Sequence, residues 1–429
     1  MIKYKSKKYR SVVCTLLFLF LAMGAAADLQ AQDYDLLLKG GHVIDPKNDI
    51  DSPMDVAIKD GIIARVAAGI SERDAEQVVD VSGLYVTPGL IDLHSHNYYG
   101  TEPNRSYSNG FNAIPPDGFT FRSGVTTVVD VGGAGWRNFR HFKEQVIDRS
   151  QTRVLAFVNI VGEGMSGIHE SNINDMDPRM TARAASRHSE IVGVKIAHFT
   201  GPEWRTTIQR AVEAGTLADV PVMVDFGGGR PSIEELFMEL LRPGDIFTHV
   251  YHPGPHKEPV VDEDGRVKPF VFEAEKKGIV FDVGHGGGSF LFAHAIPSVE
   301  QGLLPTTIST DIHVGSMNAG MKDMANVMSK FINMGMSLQD VVLRSTWNPA
   351  MAIKTPELGH LSEGAEADIA VFRLQDGDFG FVDSREFKMQ GSQKLETELT
   401  VRAGRIVWDL NGLSSPVWNS RTGLTRTGR

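Results

Sequence analysis

Val86-Thr-Pro-Gly-Leu-Ile-Asp-Leu-His94-Ser-His96-Asn97 is the stretch that decides the fold. It reads as a short buried strand, opened by a Pro-Gly turn and closed by two histidines one residue apart. Side chains at i and i+2 of a strand point to the same face. His94 and His96 therefore aim two imidazoles at one point, with Asp92 behind them on that face. Neutral imidazole is a good ligand for Zn, Fe, Ni or Cu. A His-x-His pair also occurs where a strand merely meets solvent, so its meaning depends on what the rest of the chain brings to it.

Downstream, short apolar runs alternate with helix-length segments. Candidate strands are Val86–Leu93, Val125–Val131, Val154–Val161, Val192–Ala197, Pro221–Phe226, Asp245–Val250, Ile279–Val283 and Thr306–Thr310. Trp204–Ala218 and Ile233–Leu241 are among the helical segments between them. Eight strand–helix units in roughly 270 residues fit an α/β fold of the (β/α)8 TIM-like barrel type. A doubly wound sheet is the alternative, but no Gly-x-Gly-x-x-Gly turn follows the first strand.

Both flanks read as β. Asp35–Ile44 and Asp55–Val66 are strand-like, and Asp60-Gly61 is a hairpin signal. Gly359–Phe372 is a turn leading into a strand, and Glu396–Trp408 is a second hairpin. The expected organisation is a small β-domain from both ends (28–85 and 356–429) around a barrel (86–355).

Chemistry in a barrel sits at the carboxyl ends of the strands. There this chain places His94 and His96, then Lys195, Asp225, His249 with His252, His285, and Asp311 with His313. Lys195 lies in a strand that is apolar on both sides, so its ammonium needs a counter-charge; reaction with CO2 would make it a carbamate able to bridge two cations. Each of these residues has an ordinary structural role available, such as a strand-end cap for Asp311. Their coincidence at matching strand ends is what carries weight. The long segment from Asn97 to Phe121 reads as a lid carrying Tyr98 and Arg105, the latter suited to a substrate carboxylate. Met317, Met321, Met324 and Met328 fall at helical spacing, as core packing does.

The set His94-x-His96, Lys195, His249 and Asp311 resembles the amidohydrolase superfamily. Gly359-x-Leu361-x-x-Gly364-x-x-Ala367-Asp368-Ile369 is similar to that superfamily's return strand into a small β-domain. Within it, the chain resembles the dihydroorotase-like amidohydrolase/deacetylase branch. The local matches are Gly193-Val194-Lys195, Thr248-His249-x-x-His252, Asp282-Val-Gly-His285-Gly and Ser309-Thr-Asp311-Ile-His313. The resemblance covers nearly all of the chain beyond the N-terminal segment. It implies a barrel with a small β-sandwich, and a divalent metal, zinc first, in one or two copies. The implied ligands are His94, His96, Lys195 as a carbamate, Asp225, His249 and Asp311. Asp311 would also be the catalytic base, and His252, His285, Tyr98 and Arg105 would face the substrate. The implied reaction is hydrolysis of an amide or ester in a small acyl compound, such as an N-acyl amino acid or acetyl ester, by metal-activated water. A cyclic amidohydrolase and a non-hydrolytic isomerase on the same barrel are the alternatives. One departure stands out: the family commonly has histidine at the end of the fifth strand, and this chain has Asp225. Aspartate oxygen ligates Zn at similar distance. A binding protein on a dead hydrolase fold would be expected to lose ligands, whereas five of the six positions match here.

The chain has 429 residues, 41% of them hydrophobic, and a formal charge of -10. That is material for a large core and gives a nucleic-acid partner no electrostatic support. Residues 1–10 carry Lys3, Lys5, Lys7, Lys8 and Arg10, and an apolar run ends in Gly24-Ala-Ala-Ala27. These are the parts of a cleaved signal peptide over residues 1–27. The expectation is export to the periplasm or medium, with no stable membrane insertion afterwards. The only cysteine, Cys14, lies in that segment. The mature chain would lack thiols, which suits an oxidising compartment and leaves no role for thiolate chemistry. Nothing in the sequence excludes a homo-oligomer.

Overall fold

A computed structural model of the chain describes residues 32–99, 112–165, 168–199, 201–225, 232–252, 254 and 257–418. The expected signal segment and Arg105 lie outside the described residues.

The fold is mixed α/β, built on two sheets. One is parallel and curves as a half-barrel. The other gathers strands from both ends of the chain. The N-terminal strands are β1 (Tyr34–Asp45), β2 (Ile50–Lys59), β3 (Ile62–Ala67), β4 (Ala75–Asp80) and β5 (Tyr85–Pro88). The parallel strands are β6 (Leu90–Ser95), β7 (Val125–Gly135), β8 (Arg153–Asn159), β9 (Ile191–Ala197), β10 (Val222–Asp225), β11 (Ile246–Phe247) and β12 (Val280–Phe281). The C-terminal strands are β13 (Ile369–Val382), β14 (Lys388–Arg402) and β15 (Arg405–Asp409). The parallel sheet runs β6 to β12 in sequence order. The mixed sheet runs β15-β14-β13-β5-β1-β2-β3, with β4 beside β1.

Local chemistry explains these elements. Every residue of β7 and β9 is buried, as expected of parallel strands covered on both faces. Helix Trp204–Ala218 buries Thr207, Ile208, Ala211, Ala214 and Gly215, one apolar stripe at helical spacing. It stops at Asp219, which turns left-handed at φ 55°. Asp60 and Gly61 both have positive φ, as do Ala403 and Gly404. This is the backbone of the tight turns whose twist matches paired strands.

Several elements depart from the sequence reading. The expected strand Val86–Leu93 is two strands in two sheets. Tyr85–Pro88 pairs with β1 and β13, whereas Leu90–Ser95 pairs with β7. Gly89 is the hand-over point. Its amide donates to the Asp368 carbonyl at 2.8 Å, and a Cβ there would lie 2.3 Å from Thr126 Oγ1. The expected eighth strand is an irregular segment joined by single parallel bridges, Asp282 to Thr307 and Ser95 to Ile312. It therefore connects to both ends of the parallel sheet. β11 and β12 are short because His249 and Gly284 leave the extended region, at φ 58° and 46°. Ile233–Leu241 winds as one α-turn and then a wider π-turn over Leu236–Leu240. Met321, Met324 and Met328 are buried in the core, while Met317 belongs to a separate short helix.

The return-strand motif works as a clamp between the sheets. Asp368 Oδ2 accepts from Arg153 of β8 at 2.7 Å, and Asp368 Oδ1 accepts from Arg402 of β14 at 3.0 Å. Glu366 pairs with the same two arginines. Among the described residues, no helix is long and apolar enough to cross a membrane.

Gly89→Ala should destabilise the fold by about 1–3 kcal/mol, the usual cost of overpacking. Adding Thr126→Ala should recover part of the loss. Chemical denaturation of both variants checks this, and an unchanged midpoint for Gly89→Ala would contradict the close approach.

Candidate active site

His94 and His96 leave the end of β6 buried. The segment beside them is fixed by two backbone bonds, Asp311 N to the His94 carbonyl at 2.7 Å and His96 N to the Ile312 carbonyl at 3.1 Å. Asp311 is left-handed at φ 51°, a conformation that costs energy in a non-glycine residue. It turns the carboxylate toward the imidazoles: Oδ1 lies 3.0 Å from His96 Nε2 and 3.5 Å from His94 Nε2. That oxygen is buried and makes no well-aligned hydrogen bond. Ligand atoms of His94, His249 and Asp311 all lie within 4.8 Å of one another.

The tautomers follow from the partners behind the rings. Asp282 accepts hydroxyl bonds from Thr248, Thr307 and Ser309, each at 2.7 Å. The single Thr248 proton is thus spent on Asp282. Its oxygen accepts from His94 Nδ1 at 2.8 Å, which leaves the His94 Nε2 lone pair facing the site. Burial, and then the positive groups nearby, push the His94 imidazolium well below its ordinary pKa, so the ring is neutral. His249 Nδ1 donates to the Gly284 carbonyl at 2.6 Å. Its Nε2 faces a carboxylate oxygen, Asp225 Oδ2, at 3.1 Å. Two acceptors this close call for a proton or a metal ion between them. Orphaned oxygen, aligned lone pairs and a mixed N/O donor set all fit a divalent cation.

Asp225 Oδ2 is a meeting point. Lys195 Nζ lies 3.6 Å away and His198 Nε2 lies 3.7 Å away. Burial raises the Asp225 carboxyl, but His249 and Lys195 outweigh it and hold the pKa well below the usual carboxylate range. Lys195 is fully buried, and its other contact is the Met223 sulfur at 3.6 Å. Neither contact is a strong partner for an ammonium. His198 Nδ1 bonds Glu170 Oε2 at 2.8 Å. Burial lowers His198, yet Glu170 and Asp225 together carry it up to about 9.

His94, His96, His198, Asp225, His249 and Asp311 line a cavity of about 390 Å³ with His252, His313, Gly287, Gly288, Ser289 and Ala319. A cavity of about 420 Å³ at the opposite end, around Asp219, Arg242 and Lys354, holds no such cluster.

Not every expected residue is at the cavity. Tyr98 is buried against Phe142, ring centroids 4.9 Å apart, with its hydroxyl on His141. His285 is also turned away. It stacks on Phe290 at 4.4 Å, and its Nε2 accepts from Lys330 Nζ at 2.6 Å. Lys330 donates as well to the Gly320 and Val382 carbonyls, so this pair braces the loop under the rim. Both side chains are aromatic or amphipathic, and packing claimed them. Sequence reasoning missed His198 at the cavity, Glu170 bonded to it, and the Thr248–Asp282 relay behind His94. His198 stands three residues after Lys195, where strand alternation would place the two on opposite faces. Its φ of 52° turns it back.

A profile of the amidohydrolase family matches residues 290–407. A deacetylase from Brucella anthropi is 33% identical over 343 residues, spanning 78% of this chain and 83% of that protein. The crystal structure of an adenine deaminase superposes with a TM-score of 0.80 at 28% identity, covering 88% of this chain and all of that one (100%). That of a dihydroorotase gives 0.76 at 31% identity, covering 87% and 99%.

Thr248→Val keeps the shape of the side chain and removes the hydroxyl that fixes His94. Affinity for a divalent metal should fall by about 10- to 100-fold, the usual effect of losing such a support. Chelator competition measures it; unchanged affinity would remove Thr248 from the relay.

Proposed function

The chain belongs to the amidohydrolase superfamily and is a hydrolase acting on C–N bonds, and from that premise we propose that it is a metal-dependent deacylase of small acyl compounds. The observation that carries this reading is the convergence of His94, His249 and Asp311 on one point. The name of the Brucella relative, deacetylase, supports the choice of acyl group. The described lining of the cavity is histidine, aspartate, glycine and other small residues.

His94, His96, His249 and Asp311 would hold one divalent metal, with Asp225 and Lys195, as a carbamate, toward a second. A metal so held supplies Lewis acidity and makes water acidic enough to attack an acyl carbon near neutral pH. The residues do the rest. His94 presents a neutral Nε2 to the site, and His249 turns its Nε2 toward Asp225, because their other ring nitrogens are tied back. Asp311 stays ionised: burial raises its pKa, but His96 beside its carboxylate brings it below the usual range. It takes the proton from the attacking water and returns it to the leaving nitrogen. His252 and His313, on the cavity wall, are placed to orient the substrate. In the same proposal the half-barrel is the main part of a complete (β/α)8 barrel closed by segment 306–312, and the terminal sheet folds as a β-sandwich. Export rests on the basic, apolar and small-residue pattern of residues 1–27.

A screen of zinc-loaded protein against N-acyl-D- and L-amino acids, acetyl esters and cyclic amides should find turnover of an acyl compound. Turnover of cyclic amides alone would favour the cyclic amidohydrolase reading, and rearrangement without hydrolysis would favour an isomerase. Asp311→Asn should lower kcat by about 10²- to 10⁴-fold, the range for a lost general base. An unchanged rate would exclude Asp311 as the base. Lys195→Ala should lose activity that short carboxylic acids partly restore by replacing the carbamate; full activity without them would count against a carbamate.

A further inference from the structure

Lys330 is a buried lysine that the metal reading does not use. It stands on the helix Met324–Asn333 and is fully buried, which is rare for a lysine without a charged partner. Its Nζ donates to three acceptors, none of them a carboxylate: His285 Nε2 at 2.6 Å, and the Gly320 and Val382 carbonyls at 2.8 Å each. Three N–H groups meet three acceptors, so the ammonium is fully used. A neutral amine would turn its lone pair on one of them. The direction of the His285 bond is fixed as well. His285 Nδ1 faces the Gly286 carbonyl at 2.9 Å and must carry the ring proton. Burial, and then the Lys330 charge, hold the His285 imidazolium well below its ordinary pKa. Its Nε2 is therefore a bare acceptor for the lysine.

His285 stands between two glycines that touch the site. Gly284, at φ 46°, accepts at its carbonyl from His249 Nδ1 at 2.6 Å. A Cβ on Gly284 would lie 2.7 Å from His249 Nδ1 and 2.9 Å from His94 Nδ1. Gly286, at φ 55°, passes so close to Asp311 that a Cβ there would run into Oδ2. On one side these glycines are held by their amides, Gly284 N on Ser309 Oγ and Gly286 N on the Thr310 carbonyl, each at 2.9 Å. On the other side the hold is the His285 ring, stacked on Phe290 at 4.4 Å and bonded to Lys330. Glycine is conformationally permissive, so the shape of this turn must come from what grips the residue between the two.

We propose that Lys330 is a positioning residue: acting through His285, it sets the Gly284 carbonyl that orients His249 and the Gly286 backbone that confines the Asp311 carboxylate. The relay runs from a helix outside the cavity to the site, from ammonium to imidazole to carbonyl to His249. It is the support from behind that fixes a ligating ring. The two remaining bonds of Lys330 tie the relay to its surroundings. Gly320 follows Ala319 of the cavity wall, and Val382 ends β13 of the terminal sheet. A wall segment, the glycine turn and the terminal sheet thus meet at one ammonium. The proposal rests on the metal-dependent reading above and adds to it a residue that touches neither metal nor substrate.

The test is Co(II) binding by the full chain, read as affinity and as ligand-field absorption. Lys330→Met keeps the length of the side chain and removes its donors. Affinity should fall by about 10- to 100-fold, with a shifted spectrum. His285→Phe keeps the stack on Phe290 and removes the acceptor, and should cost a similar factor. The double variant should lie within about twofold of the weaker single one, because both changes break one relay. Unchanged affinity and spectrum in Lys330→Met, or losses that multiply in the double variant, would overturn the proposal. If Lys330→Met does not fold, His285→Phe decides alone: weakened Co(II) binding supports the relay, and wild-type binding overturns it. A second readout needs no metal. In metal-free protein labelled with 15N-histidine, the His249 Nδ1–H resonance reports the bond to Gly284. It should move upfield and exchange faster with water in either variant, and a wild-type resonance in both would overturn the proposal. A wild type that binds no Co(II) would sink the metal-dependent reading, while the resonance would still test the relay.

Discussion

Everything at the rim depends on how segment 306–312 lies against β6. Two backbone hydrogen bonds, from Asp311 to His94 and from His96 to Ile312, bring the far end of the chain's α/β region beside its beginning. They put the Asp311 carboxylate within 3.5 Å of both imidazoles. Asp92, buried next to them, bonds the Thr310 amide at 2.9 Å and also its hydroxyl. Burial lifts the Asp92 carboxyl to about 7 in spite of these bonds. Such a residue is costly to bury and holds one thing in place, the junction between first and last segments. The order of the site is thus a property of the sheet, and the side chains inherit it.

The same logic explains where the backbone is strained. His198, His249 and Asp311 all have left-handed φ, and all three stand at the rim of the parallel sheet, where a side chain must point across the opening. A residue that continued the strand would alternate inward and outward; a left-handed one breaks that alternation and aims the next bond at the cavity. Left-handed backbone in a non-glycine residue costs on the order of 1–3 kcal/mol. The surrounding hydrogen bonds, Gly284 on His249 and Glu170 on His198, hold each in place.

Those turns also mark the limit of what was legible in the chain. Strand ends could be read because parallel strands are continuous apolar runs, and residues that interrupt such runs stand out: His94, His96, Lys195, Asp225, His249 and Asp311 were found this way, and all but Lys195, which is buried 3.6 Å from Asp225, line one cavity. The helix Trp204–Ala218 was legible from its apolar stripe. What escaped reading is whatever depends on a turn. Val86–Leu93 looked like one strand because its apolar pattern does not break at Gly89; the break is imposed by Thr126 across the interface. His198 was invisible because alternation put it on the wrong face. His285 interrupts an apolar run as convincingly as His249 does, yet Lys330 and Phe290 draw it away from the cavity. Pattern alone cannot distinguish a histidine that finds a buried lysine from one that faces a ligand.

The second half of the rim is a problem in charge. Two carboxylates, Asp225 and Glu170, face two basic side chains, His198 and Lys195. A carbamate on Lys195, as proposed above, would put one more negative charge into this buried site. An uncompensated buried charge is expensive, so under the proposed chemistry carbamate and cation would arrive together or not at all.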